Sequence, residues 1–282
     1  MKKIQKIVLD GKDGRPILCD LRFKRSEEKQ PLIIFCHGFK GYKDWGHFNL
    51  ISNMLASNGF NVLKFNFSHN GGTIENPIDF PDLEAFGEND YIKELNDLEV
   101  VLDAVEHGCI AKELTNWNKK VYLIGHSRGG GIAILKASED ARIDKIVTWA
   151  SVSDLISRLP NSKDLKRWES SGVFWIKNGR TLQDMPMYYN FVQTLNRNRE
   201  RLNINTACEK LLIPQLIIHG TSDEAVDISE AKDLQRWNQS STFIEIESGG
   251  HTFGGKHPFE ELELPIHSKI LVEKTIDFLQ GQ

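Results

Sequence analysis

Short apolar runs alternate with helix-like segments along most of this chain, and that alternation narrows the folds open to it more than any other feature. The runs lie at residues 32–36, 62–67, 121–124, 143–149 and 212–219, with a shorter alternating one at 243–246. Helix-patterned stretches lie between most of them, at 48–57, 90–106, 130–137 and 228–237. Strands that take turns with helices imply a parallel sheet covered on both faces. The start of the chain differs: residues 4–9 and 16–23 flank the turn-rich Asp10-Gly11-Lys12-Asp13-Gly14, a pattern that predicts an antiparallel hairpin.

One interval breaks the rhythm. About sixty residues, from Ala150 to Pro214, separate two strands, too many for an ordinary crossover. The interval holds Trp168, Phe174, Trp175, Met187, Tyr188, Tyr189 and Phe191. A cap inserted over the sheet explains both the length and the aromatic density, because it must pack a small core of its own and wall an apolar pocket. The expected division is a core of residues 1–150 and 212–282 and a cap of residues 151–211.

Composition limits the partners. A chain of 282 residues with 40% apolar content buries one large core, or one core plus a smaller subdomain. A formal charge of −4 without a long basic patch argues against nucleic acid. No window approaches the roughly eighteen apolar residues of a membrane span. The Met-Lys-Lys opening leads into only Ile7-Val8-Leu9 before Asp10, too short for a secretory core, so a cytoplasmic protein is expected. Cys19, Cys36, Cys109 and Cys208 are far apart, which suits buried free thiols rather than a zinc site or a disulfide framework.

The chemistry centres on Val121-Tyr122-Leu123-Ile124-Gly125-His126-Ser127-Arg128-Gly129. Here G-x-S-x-G sits directly after a strand and directly before a helix. A chain that turns at once from strand to helix passes through a tight, strained elbow, which needs glycines at 125 and 129 and holds Ser127 up at the sheet edge. A serine hydroxyl is a poor nucleophile until a base takes its proton and a third group holds that base. Both follow in the order acid, then histidine. Asp223 lies in Gly220-Thr221-Ser222-Asp223, just beyond a strand's C-terminal end, where parallel sheets build their sites. Asp227 competes, but it precedes Ile228 at a helix start and reads as a cap. His251 follows Ser248-Gly249-Gly250, a flexible loop able to reach the serine.

An acyl-transfer site also needs donors for the developing oxyanion. The run 32–36 ends in His37-Gly38-Phe39-Lys40-Gly41, and the amides of Phe39 and Arg128 are the expected pair. Each such donor is typically worth roughly 3 to 4 kcal/mol. His37 is expected to brace the loop and His219 to pack at a strand end. His257 shares a loop with His251, but no carboxylate or cysteine at ligand spacing makes them a metal site. Neither metal nor cofactor is called for.

With these motifs the chain resembles serine hydrolases of the α/β-hydrolase fold, and within them the dienelactone-hydrolase-like and cinnamoyl or feruloyl-esterase-like branch. The resemblance rests on His37-Gly38-Phe39-Lys40-Gly41, the elbow, the turn at Asp223 and Gly249-Gly250-His251, and it spans nearly the whole chain. It implies a mostly parallel central sheet with helices on both faces and an inserted helical cap. Dienelactone hydrolases carry a cysteine where this chain has Ser127, so their substrate is not transferred. The implied activity is hydrolysis of a small-molecule carboxylic ester, of an aromatic acid among others, and a homodimer stays open. Trp168, Phe174, Trp175 and Tyr188 are expected to wall the pocket.

The same machinery would serve an aminopeptidase or an acyl-thioester hydrolase. The former would need a cap carboxylate for the substrate's amino group, for which Asp154, Glu169, Asp184 and Glu200 are available. A non-catalytic binding module is the remaining rival.

Overall fold

In the computed structural model, which describes residues 2–24 and 26–281, eight strands form one sheet. They are β1 (Lys2–Asp10), β2 (Pro16–Lys24), β3 (Gln30–Cys36), β4 (Asn61–Asn66), β5 (Trp117–His126), β6 (Lys145–Trp149), β9 (Gln215–Gly220) and β10 (Thr242–Ile246); β7 (Val173–Lys177) and β8 (Asp184–Tyr188) make a separate two-stranded hairpin. The order is β1-β2-β4-β3-β5-β6-β9-β10. The opening hairpin pairs antiparallel, β2 joins β4 antiparallel, and every pairing from β4 to β10 is parallel.

Side-chain alternation builds two cores on one sheet. Leu32, Ile34, Leu123 and Ile217 enter one cluster, while Ile33, Phe35, Ile124, Leu216 and Ile218 enter the other. A strand apolar at every position therefore buries both faces, as its continuous hydrophobic run requires. The helices are α1 (Phe48–Ser57), α2 (Leu83–Glu88), α3 (Tyr91–Glu106), α4 (Cys109–Glu113), α5 (Arg128–Glu139), α6 (Ser162–Ser171), α7 (Asn190–Arg197), α8 (Ile204–Lys210), α9 (Ile228–Trp237) and α10 (Ile266–Gln280). Residues of α3, α5 and α9 line the first cluster and those of α1 and α10 the second. Asp90 caps α3 by accepting the amides of Ile92 and Lys93, and Asp227 caps α9 by accepting that of Ser229. No helix among the described residues is long and apolar enough to cross a membrane.

Two details depart from the sequence reading. The interval 151–211 is not purely helical: between α6 and α7 it carries the β7–β8 hairpin, in which Phe174 faces Met187 and Ile176 faces Met185. Cys109 is exposed rather than buried, because it opens the short surface helix α4; the other three thiols are buried.

A buried acid ties α3 to the loop after β4. Asp97 accepts the amide and the hydroxyl of Ser68, each at 2.8 Å, and burial pushes its carboxyl up to about 7. The folded protein thus holds this proton across a window, from about pH 4 to 7, in which the unfolded chain has released it, so the group's contribution to stability falls as pH rises through that window. Asp97→Asn keeps a carbonyl acceptor and removes the titration. Urea unfolding at several pH values is expected to show the variant losing less stability than the wild type between pH 5 and 8, by on the order of 2 kcal/mol. Parallel pH dependences would contradict it.

Candidate active site

Four loops leave the C-terminal ends of β3, β5, β9 and β10 and meet at one edge of the sheet. Neighbouring β3 and β5 continue to opposite flanks of the sheet, and such a switch leaves a crevice where ligands bind. Ser127 occupies the turn between β5 and α5 with φ 57° and ψ −122°, a left-handed region that L side chains rarely adopt. The strain is held by packing. A Cβ on Gly125 would lie 2.3 Å from the Gly129 carbonyl oxygen, and one on Gly129 would lie 2.3 Å from that of Cys36. Ser127 N–H donates to Trp149 O at 2.9 Å, and its carbonyl accepts from Gly130 at 3.0 Å, so the elbow is pinned to β6 and α5.

Asp223 and His251 come together. His251 Nδ1 lies 2.8 Å from Asp223 Oδ2. The other carboxylate oxygen accepts the amides of Ala225 at 2.8 Å and Val226 at 2.9 Å. A second imidazole joins from β9: His219 Nε2 lies 2.8 Å from Val226 O and 3.3 Å from Asp223 Oδ2. A carbonyl only accepts, so that nitrogen carries the proton and donates to both oxygens. Burial pushes the Asp223 carboxyl up, but the bonds from His219, His251 and Val226 outweigh it and hold the group well below the usual carboxylate range. The side chain of Asp223 is fully buried, and that of His251 keeps 23% of its surface open.

The histidine is also fixed from behind. His126 Nε2 donates to the His251 carbonyl at 2.9 Å, and the two rings stand 4.8 Å apart. Burial, then the neighbouring His251, pull His126 down to about 3, so it stays neutral. Ser127 and His251 both line the two cavities at this edge. Among the described residues His251 bonds Asp223, and no hydrogen bond joins the Ser127 hydroxyl to His251. Such bonds commonly tighten only when substrate is bound.

The loop after β3 runs beside the serine. A Cβ on Gly38 would come within 2.9 Å of Ser127 Cβ. His37 shapes this loop: its Nδ1 donates to Gly38 O at 2.9 Å while its Nε2 accepts the Phe67 amide at 3.2 Å. Burial pulls His37 down to about 4, leaving the neutral ring that this bonding pattern needs. The amides of Phe39 and Arg128 find no backbone acceptor among the described residues, which leaves both donors free at the elbow.

One cavity of about 370 Å³ is walled by Trp168, Phe174, Ile176, Met187 and Phe191 from the interval 151–211 and by Tyr91 from α3. A second, of about 360 Å³, is lined by Trp45, Phe48, Phe80 and Arg180. Trp168 and Phe174 thus reach the first cavity, but Trp175 and Tyr188 lie outside both. Hairpin alternation is the reason: Phe174 and Ile176 point inward, so Trp175 points out and is 57% exposed. Tyr188 packs over Gly87 and donates its hydroxyl to Glu84 at 2.5 Å. Asp227 takes no part in the site. Of the wall residues that reading missed, Phe191 stands among the interval's aromatics, whereas Tyr91 lies 36 positions before Ser127, with no signal beyond its helix.

A family model described as alpha/beta hydrolase fold matches residues 31–179. Among solved structures, Est1E from Butyrivibrio proteoclasticus with ferulic acid bound is similar at TM-score 0.74 and 20% identity, covering 98% of each chain. A dienelactone hydrolase from Anabaena variabilis aligns at TM-score 0.66 and 16% identity, over 99% of this chain and 98% of that one. The esterase Pf2001 of Pyrococcus furiosus aligns at 0.64 and 16%, over 99% and 92%. No curated protein matches the chain.

Proposed function

The chain belongs to the α/β-hydrolase family, and on that premise we propose that it is a serine esterase whose nucleophile, base and acid are Ser127, His251 and Asp223. The observation that carries the reading is the 2.8 Å bond between His251 Nδ1 and Asp223 Oδ2, at an edge where His251 shares two cavities with a serine in strained backbone. That bond puts the ring's proton on Nδ1 and leaves Nε2 free as a base. Ser127 Oγ attacks the ester carbonyl while Nε2 takes its proton; the amides of Phe39 and Arg128 hold the oxyanion; Nε2 returns the proton to the departing alcohol; water then repeats the sequence on the acyl-enzyme. Residues 151–211 serve as a lid, since ten of them line the first cavity. Similarity to the ferulate-binding Est1E and to Pf2001 supports an ester substrate, and the aromatic wall suits an aromatic acid.

The aminopeptidase alternative finds no support in the geometry. Asp154, Glu169, Asp184 and Glu200 are all exposed, and none lines either cavity. A substrate ammonium would meet Lys40, Arg128 and Arg158 instead.

A fluorophosphonate probe is expected to label the protein once, on the peptide that contains Ser127, and a short-chain 4-nitrophenyl ester is expected to be hydrolysed where an aminoacyl anilide is not. An unlabelled protein without esterase activity would return the chain to the binding-module reading.

A further inference from the structure

We propose that the cavity walled by Trp168 and Phe174 selects an ester bearing a carboxylate, and that the Arg128 side chain receives that carboxylate. The inference rests on the serine esterase reading for its reaction but not for its binding site.

The wall of this cavity is charged in one sense only. Lys40, Arg128 and Arg158 contribute to it, and no aspartate or glutamate does. Arg158 is paired outside with Glu230. Lys40 borders both cavities and has no carboxylate partner among the described residues. Arg128 is the unusual member. It is only 9% exposed, yet among the described residues one of its five donors is used, Nη1 to Glu94 Oε1 at a long 3.4 Å. Its Cζ lies 3.9 Å from the centre of the Phe39 ring, with the Tyr91 and Phe191 rings at 5.1 and 5.8 Å. The guanidinium thus lies over an aromatic face, and the donors it does not spend on Glu94 are left for another acceptor. A carboxylate fits that fork with two parallel bonds.

Tyr91 and Trp168 also line this cavity and are only 1% exposed, and their Oη and Nε1 atoms have no hydrogen-bond partner among the described residues. Buried donors without acceptors are costly, and the unused donors of Arg128 at this chamber describe a site for an oxygen-rich group. Glu94 does not fill this role. It sits behind the guanidinium, outside the cavity wall, where it also accepts from Asn89 at 2.8 Å. Burial pushes its carboxyl up, against the neighbouring Arg128 that lowers it. A neutral aromatic acyl group would match the apolar wall but leave the donors unmet.

The carboxylate could sit on either half of the ester: on the acyl half, as in a hemiester of a dicarboxylic acid, or on the alcohol half, as in an ester of a hydroxy acid. Two matched pairs separate these sources, the 4-nitrophenyl monoester of adipate against 4-nitrophenyl hexanoate, and 4-acetoxybenzoate against phenyl acetate. With spontaneous hydrolysis subtracted, kcat/KM of the full chain is expected to favour the acid-bearing member of at least one pair by about tenfold or more, and in Arg128→Met that ratio is expected to collapse to about one. Methionine keeps apolar bulk over Phe39 while removing every donor. Arg128→Lys, which retains the charge without the fork, is expected to keep part of the preference and covers a methionine variant that fails to fold. Calorimetric titration with adipate and with benzoate needs no turnover and is expected to show binding that either substitution weakens. If esters are cleaved without acid preference and carboxylate binding does not depend on Arg128, this inference falls and the esterase reading stands. If no ester is cleaved yet carboxylates bind through Arg128, the reverse holds.

Discussion

Ser127→Ala is expected to lower kcat for a chromogenic short-chain ester by about four orders of magnitude or more while leaving the fold intact. Removing the nucleophile alone costs nearly as much as removing a whole triad, because base and acid have nothing left to activate; what remains comes from the oxyanion donors and binding. The structure says why the variant should fold. The serine hydroxyl makes no hydrogen bond among the described residues, and the positive φ of the elbow is imposed by the close approach of Gly125 to Gly129 and of Gly129 to Cys36, none of which the substitution touches. Thermal unfolding should match the wild type closely, and fluorophosphonate labelling should vanish. A variant that keeps wild-type turnover would remove Ser127 from the chemistry altogether.

What could be read from residues alone was whatever depends on local pattern. Strands alternating with helices announced a sheet covered on both faces, and the observed β3, β5 and β9 hold their alternate side chains in two separate cores. Asp223 and Asp227 could be told apart because one follows a strand end and the other opens a helix, and Asp227 does cap α9. The hairpin β7–β8 stayed hidden: β8 is mixed in polarity and contains Pro186, and the apolar Val173-Phe174-Trp175-Ile176 of β7 is too short for its period to tell a strand from a buried helix segment. Its register then decided which aromatics face inward, turning Trp175 away from the cavity that Phe174 enters. Contacts between distant residues were equally illegible. Nothing near Arg128 indicates that its side chain meets Glu94, thirty-four positions earlier, or that it lies over Phe39. His219 could be placed as a packed, hydrogen-bonded ring, yet its bond to Asp223 depends on how the loop after β9 folds back over Val226.

That enclosure makes Asp223→Asn the second large effect. The carboxylate now faces only donors: two backbone amides on one oxygen and two imidazole N–H groups on the other. An asparagine must present its NH₂ to one of those sides, and both amides are fixed by the turn. The NH₂ therefore points at His251 and His219. To accept from it, His251 must move its proton from Nδ1 to Nε2, which leaves no base facing Ser127. Loss of this tautomer is expected to lower kcat by about 10⁴ with a much smaller change in KM. His219 adds to the effect, since its Nε2 proton is committed to Val226 O and opposes the new NH₂. A linked effect on stability has a definite sign. The depressed Asp223 carboxyl contributes stability above its unfolded pKa of about 3.9, and that contribution is lost as pH falls through the lower folded value. Wild type should therefore exceed Asp223→Asn in stability at neutral pH, with the difference shrinking as the solution is acidified. Steady-state kinetics beside acid unfolding of both proteins, with Asp227→Asn as a third, checks the assignment. Asp227 takes its hydrogen bond from Ser229 at the helix cap, so its asparagine variant should lose less than tenfold in kcat. A reversal of that order between the two variants would transfer the role of the acid to residue 227.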